Sequence, residues 1–284
     1  MIEKYYDGAI EQVAAGLGTV EKNHLLVRYS GQFSVENLND TKQLEKNEDI
    51  FVQVHEFETG EITCAYEPYL TMICDGFRRY MTGTFEEFME TCDVYYLHRP
   101  VLLGYFNQDN TGREEIILLD EVAYEQERML AALERMLCAI ADRHPVLFVL
   151  NRFQLASKST MQLTARFLKC ENCNIGLVLG VSDVQAMPEF LVPDWEMLYE
   201  TLDDGSKIYH IGNSGRKKEE TIDDEKYVDY GSEKVYRKLQ NMVEFLDFDQ
   251  AAYYLETIER KIKFDNLLAV SYTHLRAHET SAHL

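Results

Sequence analysis

The stretch from Glu125 to Ser182 constrains the fold of this chain more than any other part of it. It reads as a long amphipathic helix, an apolar strand, a polar turn, a second helix and a second apolar strand. Within Glu125–Arg143, the residues Met129, Leu130, Leu133, Met136, Leu137 and Ile140 share one helical face. Pro145 ends that helix, and Val146–Leu150 follows without a polar side chain. Short strands that are apolar throughout, alternating with helices, indicate a parallel sheet sandwiched by helices, an α/β class.

The remainder of the chain repeats the pattern. Strands are predicted at His24–Tyr29, Ile50–Phe57, Asn174–Ser182 and Lys207–Ile211. Helices are predicted at Ile10–Leu17, Val35–Leu44, Pro68–Tyr80, Phe85–Cys92 and Trp195–Leu202, with a polar loop at 107–115. Arg216–Asp229 is charged and nearly core-free, which marks a linker. Two amphipathic helices, Glu233–Phe245 and Phe248–Lys261, then form an expected all-α hairpin. Residues 270–284 break with everything before them and read back as an in-frame translation of a sequencing adapter. They are set aside from fold reasoning, and their histidines, His274, His278 and His283, are not counted as a metal cluster. The expected plan is an α/β domain over 1–214, a linker over 215–229, the start of a helical region over 230–269, and a non-native tail. The natural frame is expected to be cut near Ala269.

Composition narrows the function classes. At 46% hydrophobic and 27% charged residues, the chain has an ordinary globular make-up. Its net charge of −21 opposes non-specific binding to nucleic acid or to an anionic membrane, both of which need clustered Lys and Arg. There is no run of 18 apolar residues, and Met1-Ile2-Glu3-Lys4 is not a signal peptide, so a cytoplasmic location and protein partners are expected. The six cysteines fit reduced thiols. Cys170 and Cys173 form a lone CxxC with no second pair at zinc spacing, so they read as thiols rather than as a metal or redox site.

Chemistry in such folds sits in the loops that follow strands. The first strand is followed by Ser30-Gly31-Gln32-Phe33-Ser34, and the Val146–Leu150 strand by Asn151-Arg152 and then Phe153-Gln154-Leu155-Ala156-Ser157. Residues Glu125–Phe167 resemble the Walker B region of STAND-type, AAA-related P-loop NTPases, found in large bacterial regulators. That pattern runs helix, proline, apolar strand, two acidic residues, a Leu-Gln-Trp-Ala-Asp turn, and a helix start. Here Gln154 and Ala156 agree with the turn, and Ser159, Leu163 and Leu168 continue the pattern. The resemblance spans about residues 5–215 and is specific over 125–182.

The departures all remove chemistry. The resemblance places magnesium-binding carboxylates where Asn151 and Arg152 stand. A Walker A loop, GxxxxGK[ST], should follow the first strand, because glycine amides cradle phosphate and the lysine neutralises it. Counted from Gly31, Glu36 falls at the second glycine, Asn37 at the lysine and Leu38 at the Ser/Thr, and no lysine precedes Lys42 in that loop.

A rival anion site is Lys158 with Ser159, at the start of a helix; the simpler reading makes Ser157 or Ser159 a helix N-cap. Asp120-Glu121, after the apolar run Ile116–Leu119, is an alternative Walker B. His144 reads as a helix-terminal histidine, His55 and His98 as isolated, and Glu86-Glu87 and Glu114-Glu115 as solvated faces.

The resemblance thus implies a degenerate, catalytically silent NTPase-like domain with no catalytic residue, metal or cofactor, followed by the start of a tetratricopeptide-like region. It implies relay of a signal to an output domain, a GGDEF-type cyclase or a helix-turn-helix module. An active, divergent ATPase switch would instead need Lys158 or Lys42 on phosphate and Asp120 or Glu121 on magnesium, with ATP and magnesium as cofactors. A stand-alone interaction module would use its helical part to capture a peptide.

Overall fold

A computed structural model describes residues 2–17, 24–29, 49–58, 63–109, 121–170, 173–182, 187–203, 207–211 and 232–259. The sheet is built from β1 (His24–Tyr29), β2 (Phe51–Glu56), β3 (Val146–Asn151), β4 (Ile175–Ser182) and β5 (Lys207–Ile211). Its five strands lie in the order β2-β3-β4-β1-β5, and every neighbouring pair is parallel. The helices are α1 (Ile2–Gly16), α2 (Tyr69–Tyr80), α3 (Phe85–Thr91), α4 (Arg99–Asn107), α5 (Val122–Ala141), α6 (Lys158–Lys169), α7 (Val192–Asp203), α8 (Ser232–Glu244) and α9 (Phe248–Glu259). The expected parallel α/β sandwich is present.

Alternation along the strands sorts the core into two layers. Leu25 and Val27 of β1, Leu147 and Val149 of β3, and Val178 of β4 meet Ala9, Ile10 and Val13 of α1 on one face. Leu26, Val146, Phe148, Leu150, Leu177 and Leu179 point the other way, into the larger cluster shared with α2, α5 and α6. Each buried Leu, Val or Phe contributes about 1.5–3 kcal/mol, which explains the fully apolar strands. Gly176 permits the close approach of α1: a Cβ there would stand 2.6 Å from Val13 Cγ1.

α8 and α9 pack on each other through Val235, Leu239, Met242, Ala251, Tyr254 and Leu255. They also dock on the sheet-bearing part. Phe245 belongs to the main core and meets the rings of Tyr66 and Tyr105 at 6.2 and 5.9 Å. The Ala65 amide donates to Asn241 Oδ1 at 3.0 Å, and Gln126 Nε2 donates to the Leu246 carbonyl.

Two differences from the sequence reading stand out. α1 starts eight positions earlier than expected, at Ile2. α4 was not anticipated; its proline near the amino end is compatible with a helix start because the first amides have no partner within the helix. The helix expected at Val35–Leu44 and the linker at Arg216–Asp229 lie outside the described residues. Among the described residues, no helix is long and apolar enough to cross a membrane.

Candidate functional site

Because all strands run parallel, their carboxyl ends share one edge, which is where open α/β sheets take ligands. Tyr29, Glu56, Asn151 and Ser182 end β1, β2, β3 and β4. The Walker A positions Gly31, Glu36, Asn37 and Leu38, together with Lys42, lie outside the described residues, as does Asp120.

Asn151 is buried, and its Oδ1 accepts the Tyr29 hydroxyl at 2.6 Å. Burial pushes the Tyr29 phenol up to about 12, against the opposing pull of the Arg152 charge and the Asn151 bond, so the hydroxyl is protonated and donates. Arg152 is half-buried, and its Nη2 lies 2.9 Å from Glu56 Oε1. Its backbone is left-handed, with φ 55°, a conformation non-glycine residues rarely adopt. The signature turn forms a short 3-10 helix, Phe153–Leu155, with Phe153 buried against Phe57. Gln154, also buried, accepts the Ser182 amide through Oε1 at 3.3 Å and so ties the turn to the end of β4. The edge therefore presents a guanidinium held by a carboxylate and an amide held by a phenol, in place of a pair of metal-binding carboxylates. His55 lies beside it, packed on Phe57, and burial lowers its pKa.

The amino end of α6 is where an anion could be held. Ser157 is the N-cap, its side chain accepting from the Thr160 amide. The α8–α9 junction supplies carboxylates here: Asp247 Oδ2 accepts the Ser159 amide at 3.1 Å, and Asp249 pairs with Lys158 Nζ. Ser159 Oγ accepts the Tyr66 amide at 3.0 Å. The helix terminus and its lysine are thus engaged by the chain's own acids. Burial raises the pKa of Asp247, while hydrogen bonds from Ser159 oppose the shift.

Other candidates have structural surroundings. His98 is not isolated: it is buried, with Nε2 3.1 Å from Glu125 Oε2, and Arg128 reaches the same carboxylate at 3.2 Å. His144 packs edge-on to Tyr80 at 4.1 Å. Glu87 completes a capping box with Thr84. Glu121 stands at the N-cap position of α5 and makes no side-chain cap hydrogen bond. A cleft of about 430 Å³ lies between α2, α4 and α8, lined by Thr71, Asp75, Arg78, Tyr105, Arg237 and Asn241 among others, and no carboxyl-edge residue lines it.

Compared with known proteins, the chain matches no protein-family model and no curated protein. The sequence reading missed the partners that close the site. Tyr29 and Glu56 end strands whose apolar patterns were read, yet nothing local to either marks Asn151 or Arg152 as its partner. Asp247 and Asp249 were not singled out in the sequence, since nothing local to them points to α6.

Proposed function

We propose that this chain is the regulatory part of a bacterial cytoplasmic signalling protein. Its α/β portion is a STAND-like NTPase domain that no longer turns over nucleotide. The domain relays the binding of a protein partner to an output domain elsewhere in the protein, of the GGDEF-cyclase or helix-turn-helix kind.

The observation that carries this reading is the chemistry at the end of β3. Magnesium in a phosphoryl-transfer site needs anionic oxygen ligands that also orient the attacking water. Asn151 offers a neutral amide bonded to Tyr29, and Arg152 a cation paired with Glu56. A cation beside the metal position raises the cost of binding a second cation. The frame supports pre-organisation, and the side chains on it support neither metal binding nor water activation.

The contacts of α8 and α9 suggest how a signal would pass. Asp247, Asp249, Asn241 and Phe245 reach α6 and the turn before α2. A partner that pulls α8–α9 away would release the α6 terminus, so two arrangements would differ in which anion the terminus holds. The same packing weakens the peptide-capture reading, because the apolar faces of α8 and α9 are turned inward.

Phosphate release from Mg-ATP tests the silent domain. The expected result is a rate equal to the protein-free blank for both the parent chain and Lys158→Ala. Turnover by the parent that Lys158→Ala abolishes would overturn the proposal in favour of an active ATPase switch.

A further inference from the structure

At the amino end of β3 and β4, opposite the edge just described, three cysteines converge. Cys138 lies in the last turn of α5, Cys170 caps the carboxyl end of α6, and Cys173 stands just before β4. Their Sγ atoms lie within 4.8 Å of one another, and each residue is half-buried. In sequence, Cys170 and Cys173 are a lone CxxC; the fold supplies the third thiol from a different helix.

The spacing is that of a ligand set. A tetrahedral zinc ion with Zn–S bonds of about 2.3 Å holds its sulfurs about 3.8 Å apart, and small side-chain rotations bring the three thiols to that separation. Thiolates favour soft or borderline ions such as Zn²⁺ over magnesium or calcium. Asp142, which caps the carboxyl end of α5 four positions beyond Cys138, is exposed and adds negative potential, while Glu134, one turn before Cys138, is engaged by Arg166 at 3.0 Å.

We propose that Cys138, Cys170 and Cys173 form a three-thiolate site for a thiophilic divalent ion of the zinc class. Each thiol gives its proton to solvent on binding, and a fourth position stays open to water. The ion would staple the carboxyl ends of α5 and α6 to the start of β4. The sheet frame would then be stiffened from the end remote from Asn151 and Arg152. This site is independent of the nucleotide question.

The test is titration of the reduced, metal-free full chain with Cd²⁺ under nitrogen. The expected result is a thiolate-to-metal charge-transfer band that saturates at one ion per chain, with a rise in Tm. Cys138→Ser and Cys173→Ser should each lose most of the band and the Tm rise, and Cys64→Ser should keep both. Cys173 lies outside the helices, two positions before β4, so Cys173→Ser decides the matter if Cys138→Ser disturbs α5; circular dichroism confirms that each variant is folded. No Cd²⁺ uptake by the parent, or a full-intensity band in either folded variant, would overturn the proposal.

Discussion

At the residue scale, Arg152 concentrates the tension of the candidate site. A left-handed backbone costs a non-glycine residue about 1–2 kcal/mol, and here the ion pair with Glu56 accompanies it. Arg152→Ala keeps the backbone cost and loses the pair; Arg152→Gly loses the pair and relieves the backbone. The glycine variant should therefore be more stable than the alanine variant by about 1 kcal/mol in urea unfolding. Asp247 makes a second prediction. Burial lifts its pKa above the ordinary 3.8, so over that interval the folded chain keeps a proton that the unfolded chain releases. Its contribution to stability is greatest below 3.8 and is lost as pH rises through the lifted folded value. Asp247→Asn retains an acceptor for the Ser159 amide and removes that loss. The Tm difference between variant and parent should move in the variant's favour as pH rises through this window. Of these residues, Gln154 was legible because it belongs to a local turn pattern. The Tyr29–Asn151 bond was not, since its partners are separated by 122 positions and only strand pairing brings them together.

At the element scale, the strands and the long helix were legible because burial on both faces or on one face dictates their residue types. α4 escaped because it is short, opens with Arg99-Pro100, and carries no clear apolar period. The reach of α1 back to Ile2 was missed for a similar reason, since Lys4, Asp7 and Gly8 interrupt its apolar run. The three-cysteine cluster was half legible: the CxxC is local, and Cys138 arrives only when α5 lies beside α6. The seating of α1 on the sheet gives an element-scale test. Gly176→Ala places a methyl 2.6 Å from Val13 Cγ1, so α1 must shift or β4 must bend. The expected cost is about 1–3 kcal/mol by chemical denaturation. Val13→Ala in the same chain should recover part of it, since the two sites share one contact.

At the scale of the whole molecule, the expected separate hairpin is joined to the sheet-bearing part. Phe245 sits in the main core, and the acids at the α8–α9 junction hold the start of α6. The sequence marked a charged linker before these helices and so suggested independence, but linker composition says nothing about where the following element docks. In the function proposed above, this frame has exchanged nucleotide chemistry for structural contacts at the end of β3 and at α6. The most direct measurement is titration calorimetry of the full chain with Mg-ATP, alongside Tm in saturating nucleotide. No heat of binding and no shift in Tm are expected. Micromolar binding, which at a thousandfold excess over Kd would add about 4 kcal/mol of stability, would contradict the proposal.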